Sequence, residues 1–96
     1  MRVLVVGSGA REHALVVRLV AELGDAAVTA APGNPGIAGL VQVHPADVGA
    51  PDSLLSAARA IGADLTIIGP EVPLSLGVAD LFADAGLLLF GPSAAA

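Results

Sequence analysis

The chain has 96 residues, of which 55% are hydrophobic and 14% are charged, so its length and composition are those of one folded domain rather than of a disordered segment. Its formal net charge is -5, with four arginines and no lysine, which excludes the clustered basic surface that nucleic-acid binding needs. No cysteine is present, so disulfides and cysteine-based zinc sites are excluded as well.

The apolar segments are short. None approaches the roughly 18 residues that a membrane-spanning helix needs. The apolar block at the N-terminus follows a single basic residue and is too short for a secretory signal. We therefore expect a cytoplasmic protein that forms a single domain over residues 1–96.

Apolar runs that end in glycine or proline alternate with stretches that have helical periodicity. Five strands are predicted, at residues 2–6, 27–31, 40–44, 65–68 and 87–90. The third has the weakest pattern, because only three apolar residues support it. Three helices are predicted, at residues 11–23, 51–61 and 73–85. Strands that alternate with helices at this spacing favour right-handed crossovers and a parallel sheet.

The predicted fold is therefore α/β, a Rossmann-like open parallel sheet of about five strands with helices on both faces. Ligands of such sheets bind at the carboxyl ends of the strands. Four of the five predicted strands end in turns that contain glycine, with the sequences GSGAREH, APGNPG, GPEVP and GPS. Parallel strands bring these turns to one edge of the sheet, so we expect the ligand site there.

The first turn excludes the commonest phosphate-binding motifs. It resembles the dinucleotide motif G-x-G-x-x-G, but Glu12 replaces the third glycine, which normally lets helix and strand pack closely. The second strand ends in Ala30 and Ala31, where a dinucleotide site needs an acidic residue. A P-loop needs a lysine, and the chain has none. A metal site is not indicated either, because His13 and His44 lie on different elements.

What remains is a turn suited to a compact anion. Gly7 and Gly9 let the backbone N–H groups come close to a ligand, and Ser8 can add a hydroxyl donor. Arg11 lies in the first turn of the helix, where a cation opposes the helix dipole at a cost of roughly 0.3 to 1 kcal/mol. A phosphate bound between the helix end and the guanidinium would attract both, so the position of Arg11 would become favourable.

Several polar residues near these turns have two interpretations that the sequence leaves open. Glu12 and Glu71 suit the first turn of any helix, yet either could accept hydrogen bonds from a ligand. His13 is either a ligand contact or a half-buried helix residue. Asn34 is a standard turn residue between Gly33 and Pro35, but its position at the predicted edge is also that of a ligand contact.

Taken together, four segments resemble the amino-terminal domain of the glycinamide ribonucleotide synthetase family, also called phosphoribosylamine-glycine ligase. They are GSGAREHAL, APGNPG, DLTIIGPEVPLSLGVAD and GLLLFGPSAAA, and they cover essentially the whole chain. The resemblance implies a pre-ATP-grasp domain. In that family it precedes domains that bind ATP and Mg²⁺, and the enzyme joins glycine to 5-phosphoribosylamine in purine biosynthesis, with formation of ADP and phosphate.

The resemblance also implies which residues bind the phosphoribosyl substrate, either 5-phosphoribosylamine or the product glycinamide ribonucleotide. They come from three of the turns: Gly7, Ser8, Gly9, Arg11, Glu12, His13, Pro32, Gly33, Asn34, Gly69, Pro70 and Glu71. The expected partners are these small molecules and the remaining domains of the same enzyme. No catalytic residue, metal or cofactor is expected within residues 1–96.

Two features depart from the family. Members often have Asn-Gly-Gly where this chain has Ser8-Gly9-Ala10, and the chain stops where the family's continues, so we expect it to be inactive by itself. A competing hypothesis is a non-catalytic nucleotide-binding or interaction module with the same fold. A third is a domain that folds but lacks affinity, because neighbouring domains complete the site.

Overall fold

The computed structural model describes residues 1–69 and 77–91 of the chain. Its centre is a five-stranded sheet in the order β3-β2-β1-β4-β5, and every neighbouring pair is parallel. The strands are β1 (Val3–Gly7), β2 (Val28–Pro32), β3 (Gln42–Val43), β4 (Leu65–Ile68) and β5 (Leu88–Phe90). The Rossmann-like parallel sheet expected from the sequence is therefore confirmed.

Strand β1 lies in the middle of the sheet. All five of its residues are buried, and it pairs with β2 on one side and with β4 on the other. A strand covered on both faces needs apolar side chains at every position, which explains the unbroken run of valine and leucine from Val3 to Val6. The continuous apolar pattern thus predicted both the strand and its central place.

Helices cover both faces of the sheet, as expected. They are α1 (Ala10–Leu23), α2 (Pro35–Ala38), α3 (Pro51–Ile61) and α4 (Val78–Asp84). On one face Val3 and Val5 pack with Val16 of α1 and Ile37 of α2. On the other face Leu4 and Val6 form one buried cluster with residues of α3 and α4, among which Leu54 and Phe82 are almost completely buried.

The termini of α3 show why this helix could be predicted to the residue. Pro51 is its first residue, and Gly62 follows it with the left-handed backbone (φ 67°) that commonly ends a helix. The N–H group of Ala63 reaches back to the carbonyl of Ala58 at 2.9 Å. Arg2 also stabilises this end of α3, because its Nη1 donates to the carbonyl of Ile61 at 3.1 Å.

Some predicted boundaries differ from the structure. Strand β3 is only two residues long, against the five predicted, because Leu40 and Val41 still belong to the turn after α2 and their N–H groups bond the carbonyl of Ile37. Helix α4 begins at Val78, after Gly77 with a left-handed backbone, and residues 73–76 of its predicted range lie outside the described residues. Leu23, predicted on the apolar face of α1, is exposed at the end of that helix.

Helix α2 was not expected. The sequence APGNPG was interpreted as a turn only, but one turn of helix begins at Pro35, with Asn34 as its N-cap. Proline at the first helical position and asparagine before it are both typical of a helix start, so this signal was present in the sequence. Within the described residues, no helix is long and apolar enough to cross a membrane.

Candidate functional site

The first glycine turn connects β1 to α1 at the carboxyl edge of the sheet. Gly9 is the N-cap of α1 and has an extended backbone, and no side chain of the described residues caps this helix start. The first turn of a helix has N–H groups without intrahelical partners, and together with the positive end of the helix dipole they attract anions. Ser8 is exposed beside this position.

Arg11 lies in that first helical turn, and its side chain is exposed. The structure describes all four arginines of the chain. Arg2 is engaged at the end of α3, Arg59 lies in the last turn of the same helix, and Arg18 is paired along α1 with Glu22 at 3.8 Å. Among the four, Arg11 alone lies at the carboxyl edge, so it is the arginine that can accompany an anion at the start of α1.

The second glycine turn is joined to the first by two hydrogen bonds. The N–H group of Gly33 donates to the carbonyl of Gly7 at 3.0 Å, and the Nδ2 group of Asn34 donates to the carbonyl of Ser8 at 2.8 Å. The other end of the Asn34 side chain, Oδ1, accepts from the N–H group of Ile37 at 2.9 Å. Asn34 thus caps α2 and holds the two turns side by side.

His13 of α1 lies against the second turn. A Cβ atom placed on Gly36 would be 3.0 Å from Cε1 of His13 and 3.4 Å from Oδ1 of Asn34. The imidazole is therefore half-buried between α1 and the start of α2. Gly36 was not predicted as a site residue, although its place directly after Asn34 and Pro35 could have indicated a close contact.

Gly69, the first residue of the third predicted glycine turn, directly follows β4, which is next to β1 in the sheet. The N–H group of Gly69 donates to the carbonyl of Val6 at 2.9 Å, which continues the pairing of the two strands. The side chain of Glu12 lies across this junction and is 0% exposed. It is in contact with the backbone positions of both Gly7 and Gly69. Glu12 therefore occupies the position of a packing residue at the edge of the site.

The structure brings most of the predicted binding residues together along one edge. Pro32 is the last residue of β2, half-buried and paired with Gly7, and it precedes Gly33. Gly91 directly follows β5 and lies at the same edge, because β5 is parallel to β4. Pro70 and Glu71 lie outside the described residues. Ligand binding by any member of the set stays a prediction.

Two hollows in the described structure lie away from this edge. One of about 590 Å³ is lined by residues of β2 and β3 and of the chain before each of these strands, including Asp25, Thr29 and Gln42. The other, of about 310 Å³, includes Arg2 and Ile61. The first has an acidic residue and no arginine, and in the second the guanidinium already donates to the carbonyl of Ile61. Both lie away from the carboxyl ends of the strands, where ligands of such sheets bind, so their size does not make them the better candidates.

Solved structures with the same architecture define the class of the domain. An L-threonine dehydrogenase from Clostridium difficile superposes with a TM-score of 0.75 and 16% identity, over 96% of this chain and 36% of that one. The L-threonine dehydrogenase from Phytophthora infestans gives a TM-score of 0.73 with 19% identity, over 97% of this chain and 36% of that one. At such low identity the likeness shows the fold alone, which is α/β and Rossmann-like.

The sequence defines the family. The phosphoribosylglycinamide synthetase N domain matches residues 1–96, and the chain belongs to that family. A phosphoribosylamine-glycine ligase of Mycobacterium tuberculosis is 49% identical over 92 residues, and that of Streptomyces coelicolor is 45% identical over 93 residues. These alignments cover 96% and 97% of this chain but only 22% of either relative. The resemblance found in the four glycine-containing segments is thereby confirmed.

Proposed function

We propose that this chain is the substrate-binding domain of a phosphoribosylamine-glycine ligase and that it binds the phosphoribosyl part of 5-phosphoribosylamine. Membership of the N-domain family supports the proposal, as do relatives named phosphoribosylamine-glycine ligase. The domain architecture inferred for the whole enzyme is part of the same proposal. Domains that bind ATP and Mg²⁺ would follow this one, and residues 1–96 would have no ligase activity alone.

The observation that carries the proposal is the arrangement of groups at the start of α1, which suits an anion. Here the N–H groups after Gly9, the positive end of a 14-residue helix and the exposed Arg11 coincide. The first two glycine turns are tied together by Asn34 beside this position, and Gly69 lies next to them at the end of β4. An acidic chain with no lysine has few other means of binding a phosphate.

The role of the domain in the reaction would be to bind and orient. In such a ligase, ATP bound by the domains that follow would supply the phosphoryl group that activates the carboxylate of glycine, and the amine of phosphoribosylamine would displace phosphate from the acyl phosphate to form the amide. This domain would bind the 5-phosphate at the start of α1, so that the ribose extends along the carboxyl edge of the sheet and the amine points toward the domains that follow. Holding the amine in place reduces the entropy cost of the attack.

The test is calorimetric titration of the 96-residue chain with glycinamide ribonucleotide, the stable product. Arg11→Ala should weaken binding about 10- to 100-fold, since hydrogen bonds to charged groups contribute roughly 1.5 to 3 kcal/mol. Arg18→Ala is the matched control, because Arg18 lies on the same helix and its exposed ion pair is worth little. It should bind as tightly as the wild type.

Equal loss of affinity in both variants would count against a specific phosphate contact, and equal retention would exclude Arg11 from the site. NAD serves as a second ligand, because the competing hypothesis is a nucleotide-binding module. Selective binding of NAD with no response to glycinamide ribonucleotide would contradict the proposal. We expect no selective binding of NAD, because Glu12 replaces the third glycine of the dinucleotide motif and β2 ends in apolar residues.

A further inference from the structure

The strand order of the sheet reverses between β1 and β4. From β1 the chain builds outward to β2 and β3, and it then crosses to β4 and β5 on the other side. In open parallel sheets the reversal leaves a crevice at the carboxyl ends of the two central strands. Here Gly7 ends β1 and Gly69 follows β4, so these two glycines form the two sides of the crevice.

The crevice is filled by a side chain of the protein itself. Glu12 is completely buried, and its side chain passes over both glycines. A Cβ atom placed on Gly69 would lie 2.6 Å from Cγ and 2.6 Å from Oε1 of Glu12. A Cβ atom on Gly7 would lie 2.5 Å from Cγ of the same residue. All three distances are far below a van der Waals contact, so neither Gly7 nor Gly69 has room for a side chain.

Gly69 differs from Gly7 in one respect that matters. Gly7 has a positive φ of 140°, which favours glycine for reasons of the backbone alone. Gly69 is not among the glycines with positive φ, and the three atoms nearest to a Cβ placed there all belong to Glu12. The requirement for glycine at position 69 therefore comes from the Glu12 side chain and not from backbone conformation.

We propose that Glu12 is a positioning residue: its buried side chain fills the crevice between β1 and β4 and thereby fixes Gly7 and Gly69, at the ends of these two strands, relative to each other. Both glycines belong to the proposed phosphoribosyl site, so this inference rests on the proposed function. Glu12 acts through packing beneath the ligand, and Gly69 is glycine to make room for it.

Stability measurements test the packing without any ligand. Gly69→Ala should lower Tm by roughly 5 to 15 °C, because an overpacked position must displace its neighbours. In a Glu12→Ala background the same change should cost less than about 2 °C, since the overlapping side chain is gone. Gly49→Ala is the matched control. Its nearest neighbour would be Oδ1 of Asp47 at 3.4 Å, so its effect should be the same in both backgrounds.

Titration with glycinamide ribonucleotide then separates positioning from direct contact. Glu12→Gln keeps the size and shape of the side chain and should bind within about threefold of the wild type, whereas Glu12→Ala should bind at least about tenfold more weakly. If Glu12→Ala does not fold, Glu12→Asp, which is one methylene shorter, replaces it in both experiments.

The outcomes are distinct. Equal effects of Gly69→Ala in both backgrounds would overturn the packing role. A loss with Glu12→Gln as large as with Glu12→Ala would show that the carboxylate charge, and not the packing of the side chain, is what ligand binding requires, which would also overturn the proposal. If the wild type does not bind the ribonucleotide, the proposed function fails. The effect of Gly69→Ala on Tm in the two backgrounds then decides by itself whether Glu12 fixes Gly7 and Gly69 relative to each other.

Discussion

Removing the side chain of Asn34 should weaken the domain by a predictable amount, because this side chain makes two hydrogen bonds that join three elements. Its Oδ1 accepts from the N–H group of Ile37 at the start of α2, and its Nδ2 donates to the carbonyl of Ser8 in the first turn. Asn34→Ala deletes both. The Ile37 bond is partly buried, and the Ser8 bond is exposed.

The two losses differ in size. Loss of an N-cap costs typically about 1 kcal/mol, and an exposed neutral hydrogen bond lies at the low end of its range, about 0.5 kcal/mol. Together they give about 1.5 kcal/mol. For a domain of this size each kcal/mol lowers Tm by roughly 4 to 8 °C, so Asn34→Ala should melt about 6 to 12 °C below the wild type.

Asn34→Ser separates the two bonds. Serine is a good N-cap but is too short to reach the carbonyl of Ser8, so it should lose only about 0.5 kcal/mol. Thermal unfolding followed by circular dichroism, with urea denaturation for the free energy of unfolding, gives both values. If the free energy of unfolding of Asn34→Ala lies within about 0.5 kcal/mol of the wild-type value, which is the range of a neutral surface substitution, the two bonds do not stabilise the turns.

The two phenylalanines of the chain should respond in opposite ways. Phe82 is 0% exposed and Phe90 is 66% exposed. In urea unfolding, Phe82→Ala should therefore lower the free energy of unfolding by about 3 to 5 kcal/mol and Phe90→Ala by less than about 1 kcal/mol. Similar losses in the two variants would contradict the assigned core. Gly62 ends α3 with a left-handed backbone, and Gly62→Ala should cost about 1 kcal/mol, measured in the same way. Gly39 has an ordinary helical backbone, so Gly39→Ala should be close to neutral, and equal losses at the two glycines would refute the conformational argument.

Much of the fold could be predicted from the sequence, because local pattern and tertiary environment agree. The apolar run at β1 predicted a strand buried on both faces, and the pair Pro51 and Gly62 set the limits of α3. Strand β4 was predicted to the residue for the same reason. Strand β3 was predicted too long, since the bonding of residues 40 and 41 to Ile37 depends on helix α2, whose glycine and proline residues were interpreted as a turn only.

The site was predictable in outline but not in the roles of single residues. Parallel strands with glycine at their ends place the turns on one edge whatever the side chains do. The buried position of Glu12 was not predictable, because a glutamate in the first turn of a helix is usually solvated and the absence of side chains at Gly7 and Gly69 makes room for it only in the folded structure. Asn34 shows the same limit, as its bond to Ser8 spans 26 residues of sequence.

The central claim is that the glycine turns at the carboxyl edge bind a phosphoribosyl compound, and an amide NMR titration tests it most directly. The 96-residue chain would be titrated with glycinamide ribonucleotide, and with NAD as the control. We predict shifts concentrated at residues 7–13 and 33–34 and at Gly69, with no response to NAD. Shifts confined to the hollow around Thr29 and Gln42, or none with the ribonucleotide, would contradict the claim.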